Sequence, residues 1–201
     1  MRIIAGQFRS RKLQSTPGLD VRPTADRTRE TLFNVLLQGN PERLAGTIWL
    51  DLYAGTGAVG IEALSRGARK VYFVEASRRI AGVIAANLAM LQVPPSDFEL
   101  LPAKALSALR QLESRGVTMD FCFLDPPYAL SEEYGAMLRR LGQAALIQPE
   151  GIVIAEHHKK CDPGAEFGVL QRFRAVLPLT IFGTLVEKVF PISCPGVRDP
   201  C

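Results

Sequence analysis

Trp49-Leu50-Asp51-Leu52-Tyr53-Ala54-Gly55-Thr56-Gly57-Ala58-Val59-Gly60 decides the fold. An apolar run leads into a glycine turn and then into small and apolar residues. That is the order of a buried strand, a tight loop and the start of a helix. Glycines in such a loop let the backbone close up against a ligand. Gly55, Gly57 and Gly60 spell G-x-G-x-x-G, and Glu75 comes 20 residues after Gly55, at the end of the next expected strand. This spacing is the dinucleotide fingerprint, so a nicotinamide oxidoreductase has to be weighed.

Asp51 argues against it. A dinucleotide loop faces a pyrophosphate dianion, which an acid four residues before the first glycine would repel. S-adenosylmethionine carries no phosphate and presents a sulfonium and an ammonium, which an acid favours. Glu75 does not discriminate, because both cofactors place ribose hydroxyls against the acid of the second strand.

A second stretch separates the two readings further. Met119-Asp120-Phe121-Cys122-Phe123-Leu124-Asp125-Pro126-Pro127-Tyr128 reads as a buried strand stopped by two prolines. Ligands of an open α/β sheet bind outside the carboxyl ends of its strands. There Asp125 offers acceptor oxygens, Pro126 a carbonyl with little freedom to move, and Tyr128 a flat face for stacking. Acceptors beside a ring suit a planar group bearing an N–H₂, such as a nucleobase, and hydride transfer has no use for them. A plain strand-ending turn is the competing explanation of these four residues.

From Thr47 onward strand and helix alternate, the pattern of a parallel sheet covered on both faces. Strands are expected at 47–52, 70–75, 97–101, 119–124 and 151–156, with helices at 78–91 and 131–145. Ahead of them, Arg2–Ala5 and Phe8–Leu13 read as a short hairpin about Gly6. A helix then opens near Thr24, its expected N-cap, and presents Leu32, Phe33, Leu36 and Leu37 on one side. Residues 169–177 and 184–190, joined by Pro178 to Gly183, are expected to close the chain as a hairpin. The expected organisation is a basic hairpin appendage at 1–20, one domain over 21–192 and a flexible tail at 193–201.

Composition sets the remaining bounds. The 201 residues hold 47% apolar and 22% charged side chains, ordinary for one soluble domain. No run of about 18 apolar residues exists to span a membrane, and the N-terminus lacks an apolar signal region, which points to the cytoplasm. The four cysteines, at 122, 161, 194 and 201, show no C-x-x-C spacing and read as free thiols. His157, His158 and Cys161 fit no common zinc pattern, so no metal is expected and Glu156–Lys160 reads as a basic surface loop. The net charge of +4 lies entirely within the first 30 residues, which hold seven basic and three acidic groups. A basic patch of this kind fits contact with a polyanion.

With both sites in view, the chain resembles the class I methyltransferases. It is similar more closely to the bacterial family that methylates the exocyclic N2 of a guanine in 16S ribosomal RNA. The resemblance covers about residues 1–190. It rests on Arg2–Gly6 with Arg11–Leu13, on Arg22–Thr24 with Asp26–Arg27 and Arg29–Glu30, on Leu32–Asn34, on Asp51–Gly57 and Gly60–Ala68, and on Asp125–Tyr128. It implies a Rossmann-like α/β fold: a seven-stranded, mostly parallel sheet with an antiparallel final strand, plus the N-terminal hairpin. It also implies S-adenosylmethionine as donor and 16S rRNA in an assembled small-subunit particle as substrate; a monomer is expected, though the sequence does not fix the oligomeric state.

On this resemblance Asp125, Pro126 and Tyr128 are the expected catalytic group. Asp51, Gly55, Gly57, Glu75 and Ala103 line the donor, with Asp51 toward methionine, Glu75 toward ribose and Ala103 toward adenine. For Asp51 the competing role is a buried acid capping the helix that starts near Gly57. Arg9, Arg11, Lys12, Arg22 and Arg27 are expected to grip RNA phosphates, with intramolecular ion pairs near the cofactor as the competing role of Arg22 and Arg27. A DNA amino-methyltransferase acting on adenine N6 or cytosine N4 presents the same N–H₂ to the same motif. A nucleic-acid-binding module with a decayed donor pocket is opposed by the intact glycines and Asp125.

Overall fold

The computed structural model describes residues 1–15, 23–127, 133–157, 163–176 and 178–184. Helix α1 (Pro23–Leu36) precedes strand β1 (Ile48–Leu52), α2 (Ala58–Ser65), β2 (Lys70–Val74), α3 (Arg78–Met90), β3 (Phe98–Leu101), α4 (Ala105–Ser114), β4 (Met119–Leu124), α5 (Glu133–Gln143) and β5 (Ile147–Glu156). The chain then forms β6 (Glu166–Phe167), β7 (Leu170–Val176) and β8 (Leu179–Thr184). The sheet order is β3-β2-β1-β4-β5-β8-β7-β6. Strands β1 to β5 are mutually parallel, β8 pairs antiparallel with both β5 and β7, and β6 pairs antiparallel with β7. The expected seven strands become eight by addition of the two-residue β6, and the final strand β8 is inserted antiparallel inside the sheet.

Successive strand residues point to opposite faces, so the parallel strands feed two cores. On one face Trp49, Val71, Phe73, Phe121 and Ile154 meet Leu32, Phe33 and Leu36 of α1, Ile61 and Leu64 of α2, and Ile84 and Leu88 of α3. On the other, Leu50, Val74, Cys122, Leu124 and Val153 meet Leu109 and Leu112 of α4 and Met137, Leu138 and Leu141 of α5. Trp49 stacks between Phe33 at 5.7 Å and Phe121 at 4.7 Å and is fully buried. Truncating it to Ala would cost about 3–5 kcal/mol.

Residues 1–15, expected as part of an appendage, are packed into the first core through Ile3 and Leu13. The expected hairpin there is reduced to one antiparallel bridge between Arg2 and Lys12. What holds the segment is a buried carboxylate. Glu62 of α2, 0% exposed, accepts from the Ile4 amide at 2.8 Å, the Ala5 amide at 2.9 Å and Arg66 Nε at 2.8 Å. Arg29, also buried, lies 3.7 Å from the same carboxylate and donates to the Arg2 carbonyl at 2.6 Å. Removing one partner of such a buried set leaves charge uncompensated, a loss of about 3–5 kcal/mol.

Three local expectations change. Helix α1 begins at Pro23, so Thr24 is its second residue and not its N-cap; proline suits a first helical position, where its missing N–H has no intrahelical acceptor to reach. In the closing hairpin Val176 pairs with Leu179, so Leu179–Gly183 is strand and not loop, while 185–190 lies outside the described residues. His157 is not on the surface: it is 4% exposed, its amide donates to the Pro178 carbonyl at 2.9 Å, and its Nε2 lies 2.8 Å from Thr180 Oγ1. His158, Cys161 and the tail 193–201 lie outside the described residues. Among the described residues no helix is long and apolar enough to cross a membrane.

Candidate active site

The sheet register lines up the site. Leu52 is level with Val74 and with Leu124, Val74 with Leu101, and Leu124 with Ala155. The next residue of each strand therefore falls in one row at the carboxyl edge: Pro102, Glu75, Tyr53, Asp125 and Glu156. Backbone bonds continue across it, from the Ala54 amide to the Val74 carbonyl at 2.8 Å and from the Glu75 amide to the Leu101 carbonyl at 3.2 Å.

The glycine loop leaves this row through a strained residue. Tyr53 has φ 71°, a left-handed conformation rare for a bulky side chain. Gly55 has φ 55°, and a side chain there would meet nothing within 4 Å, so one side of the loop is open. Gly60 does a different job: a Cβ on it would lie 2.3 Å from the Phe73 ring, so glycine lets α2 sit directly on β2.

Asp51 points away from the open side, into α2. It is 1% exposed, and Oδ2 accepts the Gly60 amide at 2.9 Å. The helix needs that acceptor, because its N-cap is Gly57, which has no side chain. Glu75 braces the loop from the second strand. Its Oε2 accepts the Gly55 amide at 3.1 Å and its Oε1 accepts the Ser77 amide at 2.8 Å. A carboxylate has about four lone-pair positions, so acceptor capacity remains on Glu75 beyond these two bonds. Ala103 is half-buried just past β3, its amide bonded to the Leu101 carbonyl at 2.8 Å.

Asp125 is half-buried immediately beyond β4, and Pro126 behind it is buried. Burial, then the charges of Glu156 and Asp51, raise the Asp125 carboxyl to about 8. Burial also raises Asp51, to about 7; the Gly60 amide opposes this and the Glu75 charge adds to it. Burial raises Glu156 as well. Asp51, Asp125 and Glu156 are thus held above the ordinary carboxylate range at one end of the sheet, chiefly by burial. The Tyr134 hydroxyl of α5 donates to the Glu156 carbonyl and fixes that helix to the β5 tip.

Of the expected RNA-contacting residues, Arg9, Arg11, Lys12 and Arg27 are exposed, and none is ion-paired to a described residue. Arg22 and Tyr128 lie outside the described residues. No metal-binding group of three or more His, Cys, Asp or Glu exists among the described residues. Tyr53, Glu62, Asn87 and Glu156 are not among the expected site residues. Glu62 and Asn87 each carried a signal, a polar residue set among the apolar residues of a helix.

Over residues 1–175 the chain matches the family described as Conserved hypothetical protein 95. It is 35% identical over 159 residues to ribosomal RNA small subunit methyltransferase D of Haemophilus influenzae, covering 79% of each chain. To the YlbH protein of Bacillus subtilis it is 33% identical over 168 residues, covering 81% of this chain and 85% of that one. Among solved structures, the yhhF protein of Escherichia coli matches with a TM-score of 0.77 at 26% identity, covering 93% of this chain and 99% of the other.

Proposed function

Because the chain belongs to the methyltransferase family described as Conserved hypothetical protein 95, we propose that it moves a methyl group from S-adenosylmethionine to the exocyclic N2 of a guanine in 16S ribosomal RNA. The observation that carries this reading is the acidic row at the carboxyl edge, with Asp125 one strand away from a glycine loop open at Gly55. An edge bearing Asp51, Glu75, Asp125 and Glu156 suits a pyrophosphate poorly, whereas a bound cation favours the charged forms of these acids. That charge pattern fits a sulfonium donor and not a dinucleotide.

When bound, S-adenosylmethionine supplies an electrophilic methyl group on a positively charged sulfur. Gly55 and Gly57 would let the backbone approach it, Glu75 would take ribose hydroxyls on its remaining lone pairs, and Ala103 would border the adenine. Asp51 holds the start of α2 through Gly60 and adds negative potential from below.

The acceptor amine is a poor nucleophile while its lone pair is delocalised into the base. The Asp125 carboxylate and the Pro126 carbonyl, accepting its two hydrogens, favour the pyramidal nitrogen that attacks. Tyr128 would hold the splayed base by stacking, worth about 1–3 kcal/mol. Positioning of the amine by Asp125 and Pro126 would supply much of the rate. Arg9, Arg11, Lys12, Arg22 and Arg27 would take phosphates of an RNA presented in a small-subunit particle, read largely through shape and backbone.

The test is incubation with methyl-labelled S-adenosylmethionine and separate pools of 16S rRNA, small-subunit particles, DNA and protein. Label in the ribosomal pools alone is expected. Label in DNA would move the reading to a DNA amino-methyltransferase. Thermal stabilisation by NAD and not by S-adenosylhomocysteine would return it to an oxidoreductase.

A further inference from the structure

Asn87 of α3 sits between the two segments that the proposed reaction uses. It is 0% exposed. Its Oδ1 accepts the Gln14 amide at 2.7 Å, and its Nδ2 donates to the Gln14 carbonyl at 3.2 Å and to the Thr56 carbonyl at 3.3 Å. The partners fix the orientation of the amide: an N–H requires the oxygen, and two carbonyls require the nitrogen. Gln14 lies two residues beyond Lys12, at the end of the basic N-terminal segment. Thr56 lies between Gly55 and Gly57 in the loop.

A buried asparagine must find partners somewhere, and bonds to its own helix or to one neighbour would satisfy it. These bonds instead make two separate loops share one side-chain rotamer. If Thr56 shifts, one Nδ2 hydrogen loses its acceptor at a fully buried position. If Gln14 shifts, the oxygen and the other hydrogen lose theirs. Each loop is therefore best held when the other is in place. The far end of the N-terminal segment is fixed separately, by Glu62 and by Ser65 Oγ, which accepts the Phe8 amide at 3.0 Å, so Gln14 is the point where movement of the segment reaches α3.

We propose that Asn87 is a positioning residue that couples RNA binding at the N-terminal segment to donor binding at the glycine loop, so that each ligand tightens the other. The inference rests on the donor and RNA assignments made above. Such coupling is reciprocal: one factor describes the effect in both directions.

Calorimetry with S-adenosylhomocysteine, with and without saturating small-subunit particles, reads that factor directly. The native protein should bind it on the order of fivefold more tightly when the particle is present. Asn87→Ala, and Asn87→Asp, which keeps an acceptor for the Gln14 amide but cannot donate to Thr56, should bring the ratio to one. No enhancement in the native protein, or an unchanged ratio in both variants, overturns the proposal.

Hydrogen exchange on the native protein decides the matter without any variant. S-adenosylhomocysteine should slow exchange of the Gln14 amide together with the loop amides. Protection of the loop with Gln14 unaffected overturns the coupling while leaving the donor assignment standing. Protection of neither removes the donor assignment, and the coupling with it.

Discussion

Asp125 shows what one residue's surroundings do to its chemistry. A carboxyl raised to about 8 by burial and by Glu156 and Asp51 is largely protonated in the free protein near neutral pH. As an acceptor of amine hydrogens it must be ionised, so kcat/KM should climb about tenfold per pH unit up to about 8 and then level off. A cation bound at the same edge favours the carboxylate, so saturating donor should move the midpoint of kcat to lower pH. Asp125→Ala should lose this limb and about a hundredfold or more in turnover, with donor affinity little changed. Rate profiles of both proteins over pH 6–9 check this; a flat native profile would contradict it. Asp125, Glu75 and the glycines were legible from sequence because their spacing is tied to strand ends. Asn87 and Glu62 were not, since a polar residue in an apolar helix declares that it has a partner without saying which. Tyr53 was hidden for another reason, because its left-handed backbone is imposed by the turn and leaves no mark on residue type.

At the scale of elements, helix α2 is the hinge of the site: its start borders the glycine loop, its middle holds the N-terminal segment, and Asp51 caps it from β1. Asp51 is raised above its unfolded value to about 7, so its burial leaves folding unpenalised at low pH and costs increasingly as pH rises from about 4 to about 7. Asp51→Asn keeps an oxygen for the Gly60 amide and removes the buried charge. It should match the native protein near pH 4 and exceed its stability at pH 8, by up to ~4 kcal/mol. Urea unfolding at the two pH values measures this, and a variant less stable at pH 8 would show that the charge itself supports α2. The alternation of strand and helix through β5 was readable because most of its strands are buried apolar runs between helices that carry an apolar stripe. The last hairpin was misplaced by Gly183, which looks like a turn residue. The Phe173 ring lies where its side chain would be, 3.3 Å from a built Cβ, at a bulge in β7. A glycine in a strand then marks a close approach and not a chain reversal.

For the whole molecule, charge is sorted by region, with acids along the carboxyl edge of the sheet and the net excess of bases in the first 30 residues. That excess is not a loose tail, because Ile3 and Leu13 anchor the segment while Arg9, Arg11 and Lys12 stay exposed. Substituting these three by alanine should weaken RNA binding and flatten its dependence on log salt concentration by about 0.7–0.9 for each phosphate no longer neutralised. Donor affinity measured without RNA should not change. Binding titrations between about 50 mM and 200 mM salt test this, and an unaltered slope would place the RNA elsewhere. Transfer to a guanine N2 is checked by nucleoside analysis of small-subunit rRNA after reaction with labelled donor. All label should elute as N2-methylguanosine, and Asp125→Ala should yield almost none. Label in any other nucleoside, or undiminished N2-methylguanosine from that variant, would contradict it.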